Sequence, residues 1–261
     1  MQTTPPDPAA SRRQLRFRHE LWAFLRYVRR PCLSPRFGRE RLGSGLAADW
    51  RRQYSFSRLL GWAGFLWLVN LFALGPLAIA AAGSGGAAHR MDVDNIPWMA
   101  ALLWAPIVEE MLFRHGLRRP VQMLWTVPLV GVALFLGPGW WTGLLVALAI
   151  LLSIWQGRRN TPPRRCWRPV LRGYVWAFPV VFHLCTLAFA GLHLANFSLN
   201  DTPYWLMPLL VLPQLMTGLV LGWVRVRAGV VDAMLLHGFF NAGPLLLVYL
   251  IISLAGSGAA G

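Results

Sequence analysis

The chain has 261 residues, of which 56% are hydrophobic and only 13% carry a charge. A soluble domain of this size is about one quarter charged, so the composition excludes an ordinary soluble protein. The net charge is +15, and all 25 basic residues are arginines. These arginines flank long apolar blocks, which indicates a membrane protein with basic cytoplasmic ends rather than a nucleic-acid-binding protein.

The first 57 residues are polar and basic, and they form a predicted cytoplasmic arm. Within it, residues 11–31 show the spacing of an amphipathic helix that lies on an anionic membrane surface. A solvated arm is the alternative. The apolar residues that share one face of this predicted helix are Leu15, Leu21, Trp22, Leu25 and Val28.

Long apolar blocks follow the arm, and most are close to the roughly 20 residues that cross a bilayer. We count seven blocks, or eight spans if the last block is broken near Pro244. The predicted fold is therefore an all-α polytopic transmembrane helical bundle of about seven to eight spans. The blocks are residues 58–82, 96–113, 121–136, 140–155, 174–195, 204–224 and 230–254. The predicted units are the arm (1–57), a first transmembrane helix with an outer loop (58–95), the functional core (96–256) and a short tail (257–261).

The arginines alternate between the two ends of these blocks. They are dense in the arm and after the second, fourth and sixth blocks, whereas the intervening outer loops carry only Arg90. By the positive-inside rule, the N-terminus is expected in the cytoplasm. We expect an integral, multi-pass protein of a bacterial inner membrane.

The second block contains two adjacent glutamates and an arginine in the segment EEMLFR. Glu110 and Arg114 are four residues apart, so they lie on one helical face and can pair. Glu109 points about 100° away around the helix axis. It is therefore the less committed carboxylate, and in an enclosed polar pocket it is placed to act as a base. The alternative is a structural ion cluster at the membrane edge.

Two later blocks add histidines at helical spacing. FAGLH places Phe189 and His193 one turn apart, and HGFFN places His237 and Asn241 one turn apart. Ionisable side chains inside a span are functional candidates by default. Together with Glu109, this set could activate water and hold a developing oxyanion.

The three motifs EExxxR, FxxxH and HxxxN, in this order and inside apolar blocks, resemble those of the CPBP family of intramembrane peptidases. This family groups the type II CAAX prenyl endopeptidases with bacteriocin-processing and immunity proteins. The resemblance covers about residues 96–244. It implies that Glu109 activates water with help from His193, that His237 and Asn241 contribute to the oxyanion site, and that Glu110 and Arg114 orient Glu109.

The resemblance also favours a hydrolysis that depends on glutamate and needs no metal cofactor. Zinc is the minority alternative, because two histidines and a glutamate could ligate it. No HExxH motif is present in the sequence.

The predicted function is therefore an intramembrane endopeptidase that cleaves a membrane-associated polypeptide within or beside the lipid bilayer, with no nucleic-acid partner. The alternatives are a non-catalytic immunity or scaffold protein of the same family and a transporter that uses the same polar residues as an ion path. The substrate is not fixed by the sequence, and neither is its prenylation.

Two further polar residues receive structural interpretations. His115 follows Arg114 at an expected interface, so it is predicted to be solvated, and Asp232 is predicted to cap the last helix. One difficulty concerns depth in the membrane. Glu109 lies nearer the cytoplasmic end of its block, whereas His193 lies nearer the outer end of its own block. The two can meet only if the fifth block starts later than residue 174, if it is tilted, or if the loop dips inward.

Overall fold

The computed structural model describes residues 16–33, 49–92, 95–158 and 167–258. Almost all of them are helical, so the predicted all-α class is confirmed. The strands found within these ranges are β1 (Ala88–His89) and β2 (Phe197–Ser198), which pair antiparallel with Ala88 opposite Ser198. This small bridge joins the loop after the first long helix to the loop after the fifth predicted block.

The helices follow the predicted blocks closely, but several are joined end to end by π turns or 3₁₀ turns. A π turn carries one extra residue per turn and is common at functional sites. The α-helices are α1 (Phe17–Arg29), α2 (Phe56–Val69), α3 (Gly75–Gly85), α4 (Ala105–Glu109), α5 (Pro120–Leu136), α6 (Trp140–Arg158), α7 (Trp167–Leu192), α8 (Met207–Leu210), α9 (Leu212–Arg227) and α10 (Val230–Gly258). The π turns are Asn70–Leu74, Ala100–Trp104 and Glu110–Arg114, and the 3₁₀ turns are His115–Leu117 and His193–Asn196.

Three of the described helices are long and apolar enough to cross a membrane: Phe56–Gly85, Arg168–Asn196 and Val230–Leu254. Pro120–Leu136 and Trp140–Gln156 are shorter apolar helices. The protein is therefore an integral membrane protein with several spans. The count of seven to eight spans stays a prediction.

The last apolar block is one continuous helix, although Pro244 lies inside it. Proline has no N–H, so the carbonyl four residues earlier, that of Phe240, loses its helical partner. The indole Nε1 of Trp67 in α2 donates to this carbonyl at 2.9 Å. Gly243 permits this approach, because a Cβ there would lie 2.4 Å from Cε2 of Trp67.

Helix α1 packs on the bundle through a face that overlaps the predicted one only in part, because Leu21 and Val28 pack against the core whereas Trp22 and Leu25 are exposed. Phe24 and Tyr27 are buried, and their rings contact Trp62 and Trp223 edge to face. Trp22, which the sequence pattern placed on the apolar face, is 64% exposed. The buried aromatic residues decide the orientation because they bury more apolar area than the leucines. Contact of the exposed face with lipid stays a prediction.

Ionic and polar contacts also tie α1 to the rest of the chain. Glu20, which is buried, pairs with Arg58 at 3.2 Å and accepts a hydrogen bond from the hydroxyl of Tyr54. Burial, followed by the neighbouring Glu20 carboxylate, raises the pKa of the Tyr54 hydroxyl well above its usual value. The hydroxyl therefore stays protonated and remains a donor.

Asp232 was predicted to cap the last helix, and the structure shows its carboxylate bound to a distant segment of the chain. Its carboxylate accepts hydrogen bonds from the backbone N–H groups of Gln53, at 2.9 Å, and Tyr54, at 3.0 Å. The segment that leads into α2 is thereby fixed to the start of α10. This long-range contact joins positions that are 178 residues apart and has no local sequence signal.

Helices α7 and α9 are held together by close contacts at two glycines of α9. A Cβ on Gly222 would lie 2.7 Å from Cε2 of Phe182, and one on Gly218 would lie 3.0 Å from Cγ2 of Thr186. These two helices form a large part of the core around the candidate site.

We predict that Gly222→Ala destabilises the protein by about 1–3 kcal/mol, because the added methyl group overpacks the α7–α9 interface. Gly131→Ala in α5 is the matched control. Nothing lies within 4 Å of its Cβ position, so it should be neutral or stabilise by up to about 1 kcal/mol. Thermal unfolding of the purified proteins in detergent measures both. Equal stability of the two variants would contradict the close packing.

Candidate active site

The two glutamates lie at the junction of a short α-helix and the second of two π turns in the helical segment of residues 98–117. Glu109 is the last residue of α4, and Glu110 begins the π turn Glu110–Arg114. Pro106 is the second residue after the first π turn of the segment, and Pro76 is likewise the second residue after the π turn in the first long helix. A widened turn accommodates the proline ring, which would clash with the carbonyl four residues earlier in a regular α-helix.

Glu110 is completely buried and has two cationic or hydrogen-bonding partners. Nη1 of Arg114 donates to Oε1 of Glu110 at 2.7 Å, so the predicted pair is present. The guanidinium of Arg114 also stacks on the ring of Phe189, with its central carbon 3.7 Å from the ring centroid. Gly218 leaves room for this stack, since a Cβ there would lie 3.4 Å from Nη2 of Arg114.

His237 on α10 contacts both glutamates. Its Nδ1 lies 3.0 Å from Oε1 of Glu110, and its Nε2 lies 3.8 Å from Oε2 of Glu109. The carboxylate of Glu110 can only accept, so Nδ1 carries the proton of this hydrogen bond. The ring is therefore fixed with Nε2 turned toward Glu109.

His193 approaches the same oxygen of Glu109 from the 3₁₀ turn that follows α7. Its Nδ1 lies 2.8 Å from the carbonyl oxygen of Phe189, to which it donates, and its Nε2 lies 4.0 Å from Oε2 of Glu109. Phe189 contacts both imidazoles, with ring centroids 4.7 Å from His193 and 5.8 Å from His237. Both histidines are thus held beside one carboxylate oxygen, and both rings contact the same aromatic side chain.

Glu109 differs from Glu110 in the length of its contacts. The 3.8 Å and 4.0 Å distances to the two imidazoles are its shortest ion-pair distances, whereas Glu110 pairs with Arg114 at 2.7 Å. The Oε2 of Glu109 is buried and has no hydrogen-bond partner among the described residues. The side chain of Glu109 is 11% exposed and that of His193 is 16% exposed, whereas that of Glu110 is 0% exposed. Glu109 and His193 are therefore the members of the group that a reactant can reach.

Asn241 lies one helical turn beyond His237 and turns its amide toward the segment of the glutamates. Its Nδ2 donates to the carbonyl oxygen of Ala101 at 2.8 Å. That carbonyl is in the first π turn, where the residue five positions later is Pro106, which has no N–H to offer. The structure brings together the predicted residues Glu109, Glu110, Arg114, His193 and His237, and Asn241 is adjacent to them rather than in contact with Glu109.

The difficulty about depth is resolved by the path of α7. Tyr174 donates to the carbonyl oxygen of Leu117 at 3.0 Å, while Phe189 contacts Phe113. From Tyr174 to Phe189, α7 advances about 22 Å along its axis. The glutamate segment advances only about 6 Å between Phe113 and Leu117. The two segments therefore cross, and the end of α7 reaches Glu109.

The sequence interpretation missed an ionic cluster beneath the site. Arg225 of α9 is completely buried, and it donates to the carbonyl oxygens of Arg114 and His115, each at 3.0 Å. Asp49 pairs with Arg225 and, at 2.9 Å, with Arg119. In the sequence these arginines appeared only as markers of membrane orientation, and Asp49 is 176 positions away from Arg225.

The prediction that His115 is solvated is wrong. The residue is completely buried, and its Nε2 lies 2.7 Å from Oε1 of Gln122 and 3.4 Å from the hydroxyl oxygen of Ser153. Helices α5 and α6 cover it with these polar side chains. A buried histidine needs such partners because an unpaired polar group in a low dielectric is costly.

Within the described part of the chain, no group of three histidine, cysteine, aspartate or glutamate side chains is arranged to hold a metal ion. Glu109, His193 and His237 come nearest to a ligand set. In both histidines the Nδ1–H group donates to an oxygen acceptor, as the second nitrogen of metal-bound histidines also does.

The arrangement defines a class of protein: a helical membrane protein with a buried glutamate between two oriented imidazoles. The family model described as type II CAAX prenyl endopeptidase Rce1-like matches residues 94–243. This match covers more than half of the chain, so the chain belongs to that protease family, and the predicted resemblance is confirmed. No match was found among curated proteins or among solved structures.

We predict that Asp49→Asn destabilises the protein by about 3 kcal/mol, because it leaves the buried guanidinium of Arg225 without its counter-charge. Arg119→Gln is the matched control from the same cluster. Its side chain is 23% exposed, so its loss should change the stability by less than about 1 kcal/mol. Unfolding in detergent measures both variants, and similar losses of stability would contradict this assignment.

Proposed function

We propose that this protein is an intramembrane endopeptidase that hydrolyses a peptide bond of a membrane-associated polypeptide. Its membership in a protease family supports the general class. The observation that carries the mechanism is the position of Oε2 of Glu109, which lies 3.8 Å and 4.0 Å from the Nε2 atoms of His237 and His193.

In the proposed reaction, Glu109 is the general base and His193 helps to position the nucleophile. A water between Oε2 of Glu109 and Nε2 of His193 gives one proton to Glu109 while its oxygen attacks the peptide carbonyl carbon. The C–N bond then breaks, and Glu109 returns the proton to the leaving nitrogen. One water is consumed, and the products are a carboxylic acid and an amine.

His237 and Asn241 are the proposed hydrogen-bond donors to the oxyanion. The Nδ1–H of His237 is committed to Glu110, so this role requires a second proton on Nε2. The resulting positive charge on His237 lies between the carboxylates of Glu109 and Glu110. The site then holds two negative groups, and Arg114 and His237 are the two positive groups that balance them. Asn241 has two amide protons and uses one of them on Ala101, so the second remains for the substrate.

Glu110 and Arg114 are proposed to act through position rather than by touching the substrate. Glu110 fixes the tautomer of His237, and Arg114 neutralises Glu110 and packs on Phe189. Their contribution resembles that of the groups which orient the ligands of many active sites.

We also propose that the N-terminus faces the cytoplasm of a bacterial cell and that the protein lies in the inner membrane. Asp49, Arg119 and Arg225 meet in one cluster, which supports a common side for the arm and two of the arginine-rich helix ends. This agrees with the alternation of arginines along the chain. The lipid bilayer and a polypeptide substrate are the expected partners.

We predict that Glu109→Gln lowers the cleavage rate at least about 100-fold, because the amide cannot accept the proton of water. The stability should change little, since Glu109 has no short ion pair. The neighbouring Glu110→Gln is the control. It should lose about 3 kcal/mol of stability, because it leaves Arg114 buried without its carboxylate.

The measurement combines thermal unfolding with comparative proteomics of the wild-type and Glu109→Gln strains. A membrane polypeptide that remains uncleaved only in the variant strain supports the proposal and identifies the substrate. Full cleavage by a folded Glu109→Gln protein would refute it. A phenotype that survives this substitution would instead favour the non-catalytic immunity or scaffold alternative.

We predict that the purified enzyme keeps its activity after treatment with a strong zinc chelator and holds far less than one equivalent of metal. Metal analysis and cleavage of the identified substrate are measured on the same sample. Loss of activity on chelation, with recovery when zinc is added, would establish the zinc alternative.

A further inference from the structure

Two carboxamide side chains near the candidate site have buried polar atoms without partners. Both the Oδ1 and the Nδ2 of Asn70 are buried and have no hydrogen-bond partner among the described residues, and the same holds for Oε1 of Gln214. Asn70 begins the π turn of the first long helix, and Gln214 is in the first turn of α9. Neither residue belongs to a motif of the sequence analysis.

The packing of α7 against α9 places Gln214 beside His193. Thr186 and Phe189 on α7 both contact Gly218 on α9, and Phe182 contacts Gly222, so the two helices run antiparallel. Four residues onward from Phe189 is His193, and four residues back from Gly218 is Gln214, so these two lie at the same level.

The apolar neighbours confirm this level independently. Leu215, which follows Gln214, packs on the same small cluster as Leu194, which follows His193. Gly218 also faces the guanidinium of Arg114, so its helical face is the one turned toward the candidate site.

Asn70 borders the same region from the first long helix. Its π turn contacts α9. Trp67, one turn before Asn70, contacts Phe240 and Gly243 of α10. Asn241 lies between these two residues in the sequence. Asn70 and Gln214 therefore stand on two helices that enclose the site on the side of Asn241 and His193.

Several other polar side chains in these helices have hydrogen-bond partners, although Nε1 of Trp223 in α9 and Nη2 of Arg114 are also buried without one among the described residues. The hydroxyls of Thr186 and Thr217 each donate to the carbonyl oxygen four residues earlier, and Asn241 donates to Ala101. A buried amide without a partner costs free energy, and within a membrane no bulk water offsets that cost. Two such amides next to a catalytic group indicate that a ligand supplies their partners.

We propose that Asn70 and Gln214 bind the backbone of the substrate polypeptide beside the scissile bond. A carboxamide carries a donor and an acceptor, as a peptide group does, so it can pair with an extended backbone of any sequence. The two residues are positioning residues that hold the carbonyl carbon near Glu109. This inference rests on the proposed function and adds a substrate-binding role for residues outside its motifs.

The first test is independent of activity and uses Gln214→Met and Asn70→Leu. Both substitutions replace a carboxamide that has at least one buried unpartnered atom by an apolar side chain of similar size, so the melting temperature in detergent should stay equal or rise. Gln122→Met is the matched control, because Gln122 is hydrogen-bonded to His115 and Gln156, and it should melt lower. Lower melting of Gln214→Met and Asn70→Leu would mean that these amides are structural, and would overturn the proposal.

The second test measures cleavage of a peptide that ends in a farnesylated CAAX sequence, together with the polypeptide found by proteomics. For each carboxamide variant we expect KM to rise about five-fold with kcat nearly unchanged, since one hydrogen bond to substrate is lost. Replacing the amide next to the scissile bond by an ester should raise KM for the wild type by a similar factor. The same ester should add no further loss in the variant whose carboxamide contacts that amide.

The outcomes separate the two proposals. The binding role is overturned if KM is unchanged in both variants. It is also overturned if the wild type and both variants are equally sensitive to the ester at every position tried. Neither result affects the proposed peptidase function. If the wild type cleaves neither substrate, the proposed function fails. The melting experiment still decides whether Asn70 and Gln214 are structural.

Discussion

The buried charge of Glu110 is the constraint on which the arrangement of the site depends. A carboxylate in a low-dielectric interior must be compensated, and removal of one partner from such a group is strongly destabilising. Glu110 draws Arg114 from its own helix and His237 from α10. Because these partners occupy Oε1 of Glu110, His237 is oriented, α10 is fixed against the glutamate segment, and Glu109 is left without a strong partner.

The low dielectric acts on backbone groups in the same way as on charges. Near the site, prolines leave carbonyl oxygens without a helical partner, and side chains of other helices donate hydrogen bonds to such carbonyls. Trp67 donates to the carbonyl that Pro244 leaves unpaired, and Asn241 donates to the carbonyl that has Pro106 five positions later. Arg225 donates to the carbonyls of Arg114 and His115, where the π turn meets the 3₁₀ turn. These bonds join the helices and fix the site.

The sequence predicted the helical class, the family and the main members of the site, because these depend on local features. Spacings of four residues predict pairs such as Glu110 with Arg114, and long apolar blocks predict membrane helices. The sequence did not predict the π turns or the contact of both adjacent glutamates with His237. It also missed the contact of Asp49 with Arg225, because a pair 176 positions apart leaves no periodic signal. The solvated His115 was wrong for a similar reason, since its partners lie on later helices.

Unpartnered carboxamides near a site are candidates for ligand binding, because a carboxamide carries both a donor and an acceptor. Other carboxamides of the bundle find partners on distant helices, as Asn241 does on Ala101 and Gln122 does on His115. Asn70 and Gln214 have buried polar atoms without a partner among the described residues, as does Glu109 at Oε2, and some indole and guanidinium nitrogens share this property. An enzyme that binds an extended polypeptide inside a membrane must offer hydrogen bonds to a backbone that has lost water, because otherwise the substrate would bear the cost of desolvation. The same unsatisfied groups that lower the stability of the free protein are those that such a substrate requires.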